Sequence, residues 1–360
     1  MSVTSNGGAR IAHLSARPLD VPLRKPFGIS RGAQAVAANV LVEMVLEGGV
    51  RGWGEGAPFP AFNGETQGQV LAACAVAAPL VAGVDVREPD RLGERIAAGC
   101  GGSPSAVCAI ETAALDCQAK LRGVSIRQLL GGAEEQIVTD ITITTGTVEK
   151  AEREACAFAA FSTLKVKIGG GPLDRDVARV RAIRRARPDA RLVVDANAAL
   201  TVGEAVEFGR AAAAAAIDLF EQPVAAGDWE ALAEVRRRTG LRIAVDESVT
   251  RAADVDAARA HGAADAVNAK IMKSGVFEVL RIVQRARAAG LLCMIGGMVE
   301  TRLAMGTSAS IAAGLGGFAY IDLDTPLFLA EDPFEGGYAQ HGERIDLQPV
   351  RLGHGCEPRT

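Results

Sequence analysis

The stretch STLKVKIGGG, Ser162–Gly171, sets Leu164, Val166 and Ile168 in alternation with Lys165 and Lys167. Successive side chains of a strand point to opposite faces, so the three apolar residues share one face and the two lysines the other. An exposed edge strand carries lysine for solubility. A strand inside a closed sheet has no such edge, and its two ammonium groups then need anionic company.

The surrounding sequence supplies the closed sheet. From about residue 136, apolar runs alternate with amphipathic stretches: IVTDITITTG, TLKVKIG, ARLVVDAN, IDLFEQP, LRIAVDES, ADAVNAKIMKSG, LLCMIGGMVE and FAYIDLDTP. Between them DRDVARVRAIRRARP, DWEALAEVRRRTG, DVDAARAHG and FEVLRIVQRARAAG repeat apolar residues at helical spacing and several end in Gly or Pro. Eight strands separated by helices argue for parallel pairing through right-handed crossovers, on the scale of a barrel. The expected fold is α/β, a TIM-like barrel over residues 131–330. Residues 1–130 read as an α+β capping domain, with a hairpin around Glu47-Gly48-Gly49 and Ala-rich helices, and residues 331–360 as short strands returning to it.

Charge falls at one place in each unit. Lys167, Asp195, Glu221, Asp246 and Lys270 follow at intervals of 28, 26, 25 and 24 residues, each at the carboxyl end of its run. In a barrel those ends meet at one rim. A single Asp there is usually a helix cap. Three acids on consecutive strands, flanked by lysines, are better explained by a bound cation, since clustered carboxylates in a desolvated pocket resist ionisation. With oxygen donors only, the set suits Mg²⁺, and Mn²⁺ could substitute. Asp322 and Asp324 in YIDLDTP mirror the KxK pair with opposite sign and read as a site for a cationic group.

Composition narrows the partners. A formal net charge of −4 gives no basic field for nucleic acid or an anionic membrane. The N-terminus lacks the apolar core of a secretory signal, and no run is long enough to span a bilayer, so a cytoplasmic location is expected. Seven cysteines form no CxxC pair and read as free thiols, and none of the four histidines sits in a catalytic motif. Proton chemistry therefore falls to lysines and carboxylates.

The ordered set KVK (Lys165–Lys167), DAN (Asp195–Asn197), EQP (Glu221–Pro223), DES (Asp246–Ser248) and AKIMKSG (Ala269–Gly275) resembles the enolase superfamily, in its muconate lactonising enzyme subgroup. The resemblance implies a (β/α)7β barrel under an α+β capping domain, with metal ligands Asp195, Glu221 and Asp246. It implies acid/base lysines at Lys167 and Lys270 on opposite sides of a substrate, Lys165 helping to neutralise an enolate, and Asn197 and Glu247 beside the metal ligands. DLD (Asp322–Asp324) and GGMVETRL (Gly296–Leu303) resemble the dipeptide epimerase branch, whose paired aspartates hold a dipeptide's free ammonium group. Thr144, Gly296, Met298 and Arg31 are the further substrate-binding positions expected.

The implied reaction is Mg²⁺-dependent inversion of the C-terminal α-carbon of a dipeptide by two lysines. A lysine acts as base near neutral pH only if its pKa falls, which a nearby cation and a second lysine would cause. Cycloisomerase, N-acylamino acid racemase or o-succinylbenzoate synthase chemistry on the same fold, and a catalytically silent binding module, stay open as alternatives. Members acting on Ala-Glu carry an arginine in a capping loop where this chain has Gly32, with Arg31 one residue earlier. The sequence leaves open the two side chains of the dipeptide and the oligomeric state, a homo-oligomer being possible.

Overall fold

The computed structural model describes residues 8–29 and 32–359. The first of its sheets is an antiparallel meander of β1 (Ile11–Ile29), β2 (Gly32–Leu46) and β3 (Arg51–Gly56). β1 was not foreseen, because Pro18, Pro22 and Pro26 interrupt its pattern; its register with β2 slips between Pro22 and Phe27. β3 reads RGWGEG, with glycine at every second position. A Cβ at Gly52 or Gly54 would collide with the carbonyl oxygens of Ala113 and Ala109, and one at Gly56 would lie 2.6 Å from that of Ser105. The strand thus lies directly on the helix Pro104–Leu121, along residues four apart on one helical face.

After β4 (Gln136–Val138), eight strands form one sheet in sequence order: β5 (Ile141–Ile143), β6 (Thr163–Lys167), β7 (Arg191–Asp195), β8 (Leu219–Glu221), β9 (Ile243–Val245), β10 (Ala266–Ala269), β11 (Leu292–Gly296) and β12 (Tyr320–Asp322). All neighbours are parallel, and helices fill the connections, giving the expected (β/α)7β order. One expectation needs correction. The run IVTDITITTG is not a single strand: β4 pairs antiparallel with β15 (Arg344–Asp346), and only β5 enters the barrel.

The period of two sorts each strand's residues. Leu164, Val166, Leu192, Val194, Phe220, Ile243, Val245, Val267 and Ile295 belong to the main core, with the surrounding helices. Val193, Leu219, Ala244, Ala266, Met294 and Tyr320 form a separate cluster from the alternate positions of the same strands, filling the barrel interior. Two residues further along those inward rows stand Asp195, Glu221, Asp246, Asn268 and Asp322, with Lys167 of β6 level with Asp195 and Lys165 level with Val193. The interior is therefore apolar at its floor and charged at its carboxyl end, and the lysines of the KVK stretch point inwards.

β5 and β12 close the barrel without a ladder between them. Asp140 N donates to Ile321 O (2.9 Å), Leu323 N to Thr139 Oγ1 (2.8 Å) and Thr142 N to Asp324 Oδ2 (2.6 Å). Two buried glutamates bind the cap to the barrel. Glu55 of β3 accepts from Thr301 N (2.9 Å), Thr301 Oγ1 (2.6 Å) and Ala304 N (3.2 Å) at the start of the helix Arg302–Leu315. Glu111 accepts from Phe277 N (2.9 Å) in the first turn of the helix Val276–Ala288. The tail pairs β14 (Ala339–His341) with β15, and β13 (Phe334–Gly336) with β16 (Cys356–Pro358). It is tied to the cap where Asp116 accepts from both Trp53 N and His354 N, at 3.1 Å each. All seven cysteines are free.

Candidate active site

The charged end of the barrel is a network of alternating sign. Lys165, fully buried, places Nζ 2.6 Å from Asp322, 2.8 Å from Glu221 and 3.2 Å from Asp195. Lys167 reaches the same Asp195 oxygen at 2.6 Å. Across the barrel, Asp246 lies between Lys270 (2.7 Å) and Lys273 (2.6 Å). Asn268 donates to Glu221 Oε1 (2.7 Å), and Asn197 donates to Asp195 and, at 3.3 Å, to Glu247.

Charge partners, not burial alone, set the ionisation states. Burial opposes the Lys165 ammonium, yet Asp322, Glu221 and Asp195 overcome it and push its pKa well above the ordinary lysine value. Burial likewise opposes ionisation of Asp195, but Lys167, Lys165 and Lys270 outweigh it and hold the carboxyl at about 2. Burial, reinforced by Asp246 and Asp195, pushes Glu247 up to about 8 against the smaller opposing pull of Lys270. At Lys270 a carboxylate neighbour decides the balance. Burial pulls it down, but the Asp246 carboxylate beside it prevails and raises it. Lys273, equally buried, is lowered on balance.

The backbone at these strand ends is unusual. Asn197 and Gln222 have φ of 45° and 33°, the left-handed region that side-chain-bearing residues rarely adopt. Such strain gathers where a constellation is held against local preference. Gln222 repays its conformation with four hydrogen bonds: it donates to Val224 O (2.9 Å) and Ser248 Oγ (2.8 Å) and accepts from Asp246 N (3.0 Å) and Ser248 N (3.2 Å). It fixes the loop that carries Asp246. It was missed in the sequence reading, though the EQP and DES motifs contained the signal.

Asp195, Glu221 and Asp246 do not converge on one point. Lysine ammonium groups stand among them, and among the described residues the acids whose oxygens lie within 4.8 Å of one another are Asp140, Asp322 and Asp324. The donor set nevertheless fits a hard cation. Glu221 Oε2 and both Asp246 oxygens accept no hydrogen bond and meet only the lysines as ion pairs, and Glu247 Oε2 and Asn197 Oδ1 have no hydrogen-bond partner. Buried carboxylate oxygens with unspent lone pairs on three neighbouring strands are what an oxygen-coordinated ion requires.

The chain matches the Enolase C-terminal domain-like family over residues 147–360 and the Mandelate racemase / muconate lactonizing enzyme N-terminal domain over residues 13–131. It belongs to the mandelate racemase/muconate lactonizing enzyme family of the enolase superfamily. An aromatic dipeptide epimerase of Herpetosiphon aurantiacus is 44% identical over 349 residues, covering 96% of this chain and 98% of the relative. An L-Ala-D/L-Glu epimerase of Thermotoga maritima is 38% identical, covering 90% and 94%. The structure of a dipeptide epimerase of Enterococcus faecalis with Mg and L-Leu-L-Tyr superposes with a TM-score of 0.93 at 32% identity, covering 97% of this chain and 99% of that one.

In this family member the pocket over the charged end is walled by Lys167, Lys270, Asn197, Asp322, Asp324, Thr142 and Thr325, with Phe27, Ile29, Phe59, Phe62, Met298 and Val299 facing them. Phe62 lies under Lys270 Nζ at 5.7 Å, a cation–π distance. Met298 lines this pocket, and the Asp322–Asp324 pair shares it. The two acids do not share a strand: Asp324 lies past the end of β12 with helical φ and ψ of −94° and −13°. Thr144 is not in this pocket. It lines the adjoining cavity of about 320 Å³, and its hydroxyl accepts from Lys150 Nζ at 2.8 Å, while Thr142 takes the place expected of it. Gly296 clears space rather than lining the pocket, since a Cβ there would lie 3.0 Å from Asn268 Oδ1 and 3.1 Å from Lys270 Cε. Arg31 lies outside the described residues. The aromatic wall was not foreseen, although PFPAF (Pro58–Phe62) and KPF (Lys25–Phe27) contained it.

Proposed function

We propose that this chain is a dipeptide epimerase that inverts the α-carbon of the C-terminal residue of dipeptides with a free amino group and apolar side chains. One observation carries the reading. Lys167, from β6, and Lys270, from just beyond β10, open onto the same pocket as the Asp322–Asp324 pair. Two proton-transfer groups and a site for a cationic group together match a substrate with an acidic α-hydrogen and an ammonium group. The named activities of the relatives support it.

In this scheme one lysine, neutral at Nζ, removes the α-proton, and the other, as ammonium, delivers a proton to the opposite face of the planar carbon. The roles exchange for the reverse reaction. A general base in place contributes ~10²–10⁴-fold. Lys165 stays an ammonium throughout, held by three carboxylates, and adds fixed positive charge. Asp195, Glu221 and Asp246 are the residues that would hold Mg²⁺. Bound there, the ion would stabilise negative charge on the substrate carboxylate and compete with Lys270 for Asp246, removing the charge that raises that lysine's pKa.

The apolar preference comes from the wall opposite. Among the described residues lining the pocket, the cations are Lys167 and Lys270, both engaged in the proposed chemistry, whereas four aromatic or aliphatic side chains descend from the cap. Among the described lining residues a second substrate carboxylate finds no free cation, and an aromatic or branched side chain finds contact.

The test is incubation of the Mg²⁺-loaded enzyme in D₂O with L-Ala-L-Phe, L-Ala-L-Glu and N-acetyl-L-phenylalanine, followed by mass and chirality at the α-carbon. Deuterium incorporation with inversion in L-Ala-L-Phe is expected, and both Lys167→Ala and Lys270→Ala should lower inversion by at least ~10²-fold. Full inversion by the Lys270→Ala enzyme would sink the two-lysine scheme. Exchange confined to the N-acylated amino acid would sink the dipeptide.

A further inference from the structure

Asp140 has no part in the scheme above. It lies in the link between β4 and β5, 3% exposed, with its N–H bonded across the barrel seam to Ile321 O. Its carboxylate belongs with those of Asp322 and Asp324, the oxygens of all three lying within 4.8 Å of one another. Asp322 pairs with Lys165 and Asp324 accepts from Thr142 N, but Asp140 Oδ1 and Asp324 Oδ1 meet no donor. Among the described residues the ammonium in contact with these three acids is Lys165, through Asp322, and it also serves Asp195 and Glu221, while Lys270 and Lys167 act on Asp322 from further away. Buried like charges at such separations cannot all ionise unaided. The cluster has to hold a proton or take a cation.

We propose that Asp140 is a positioning residue for the substrate's ammonium group, acting through Asp322 and Asp324, and that seating the ammonium expels a proton from this three-acid cluster. The inference rests on the free-amine dipeptide reading given above. Asp140 sits behind the pair, absent from the pocket wall that Asp322 and Asp324 form. Its charge strengthens the pull on a cation without touching it. The charged groups around it are Asp322 and Asp324 from β12 and its extension, Lys165 from β6 and Glu221 from β8. Burial, reinforced by Asp322 and Asp324, raises the Asp140 carboxyl well above the usual range, and burial with Asp322 brings Asp324 to about 7. Three interacting acids titrate as a unit, so the proton belongs to the cluster and not to one oxygen.

The expelled proton has its own way out. Asp140 also lines a cavity of about 310 Å³ at the floor of the barrel, whose walls include the exposed Gln136, Val138 and Arg191. The proton leaves a carboxyl O–H for solvent on that side while the ammonium enters from the other.

The probe is L-phenylalanyl-α,α-dimethylglycine, which has no C-terminal α-hydrogen and cannot react, compared with its N-acetyl form. Calorimetric titration of the Mg²⁺-loaded protein at pH 6.5, in two buffers of different ionisation enthalpy, counts protons exchanged on binding; an α-amino group of pKa ~7.7–8.0 is already charged there. The free amine should release a substantial fraction of one proton and the N-acetyl form none. Asp140→Asn should abolish the release and weaken free-amine binding on the order of tenfold, the effect of one charge at 4–6 Å, with N-acetyl binding unchanged. Should the variant not fold, the native protein decides the matter, since its release must fade between pH 6 and 7.5 as the free cluster ionises. Undiminished release and preference in Asp140→Asn, or a proton count independent of pH, would overturn the inference alone. Equal native affinity for both ligands would overturn the ammonium reading itself.

Discussion

Replacing Glu111 by Gln tests how burial and a helix terminus compete over one carboxyl. Glu111 comes from the cap helix Pro104–Leu121, is 5% exposed, and accepts from Phe277 N at the start of a barrel helix. A helix N-terminus favours a negative charge by about 0.3–1 kcal/mol, reaching ~2 in partly buried settings. Burial acts the other way and wins, bringing the carboxyl from its ordinary 4.5 up to about 7. Between those values the folded chain keeps a proton that the unfolded chain has lost, so stability declines as pH rises through the window and levels off above it. At 1.36 kcal/mol for each pH unit the decline amounts to about 3 kcal/mol. Gln cannot ionise, yet its amide oxygen can accept from Phe277 N. Urea midpoints of the two proteins, measured side by side from pH 4.5 to 8, should show the variant gaining on the native chain by about that amount. Taking the difference removes every other titrating group. A difference that stays constant with pH would refute the reasoning.

Two further substitutions follow from packing. Gly54→Ala puts a methyl into the Ala109 carbonyl and should lower stability by ~1–3 kcal/mol or more through overpacking, visible as a lower thermal midpoint; an unchanged midpoint would mean that the helix yields freely. Glu55→Gln turns an NH₂ group towards donors from Asn39, Thr301 and Ala304, all of which now find carboxylate oxygen, and should cost about 1–3 kcal/mol. Denaturant unfolding that matches the native protein would show that this contact is dispensable.

Much of the barrel was legible because its residues obey a period of two. In KVK, DAN, EQP and DES the alternation tells which side chain points inwards, and the spacing of about one helical crossover tells that consecutive groups stand on consecutive strands. β1 was not legible, since its prolines mask a strand that tolerates them at a register slip. Thr142 and Thr144 are indistinguishable in sequence, and only the position of the strand end separates the one in the pocket from the one bonded to Lys150. Asp140 looked like part of a strand run, and its proximity to Asp322 and Asp324 depends on barrel closure, which no local pattern encodes. The lysine pKa values depend on which carboxylate is nearest in space, so the rise at Lys270 beside Asp246 was not legible in the sequence.

The seam between β5 and β12 links two properties that are usually adjustable separately. One oxygen of Asp324 closes the barrel by accepting from Thr142 N, while the same residue forms part of the pocket wall beside Asp322. A lineage that altered this aspartate to accept a different substrate would also loosen the join between the first and last strands, and would need a new tie there before the change could persist. Variation in specificity is therefore expected to collect on the opposite wall, at Phe27, Ile29, Phe59 and Phe62, whose side chains can be exchanged without opening the barrel.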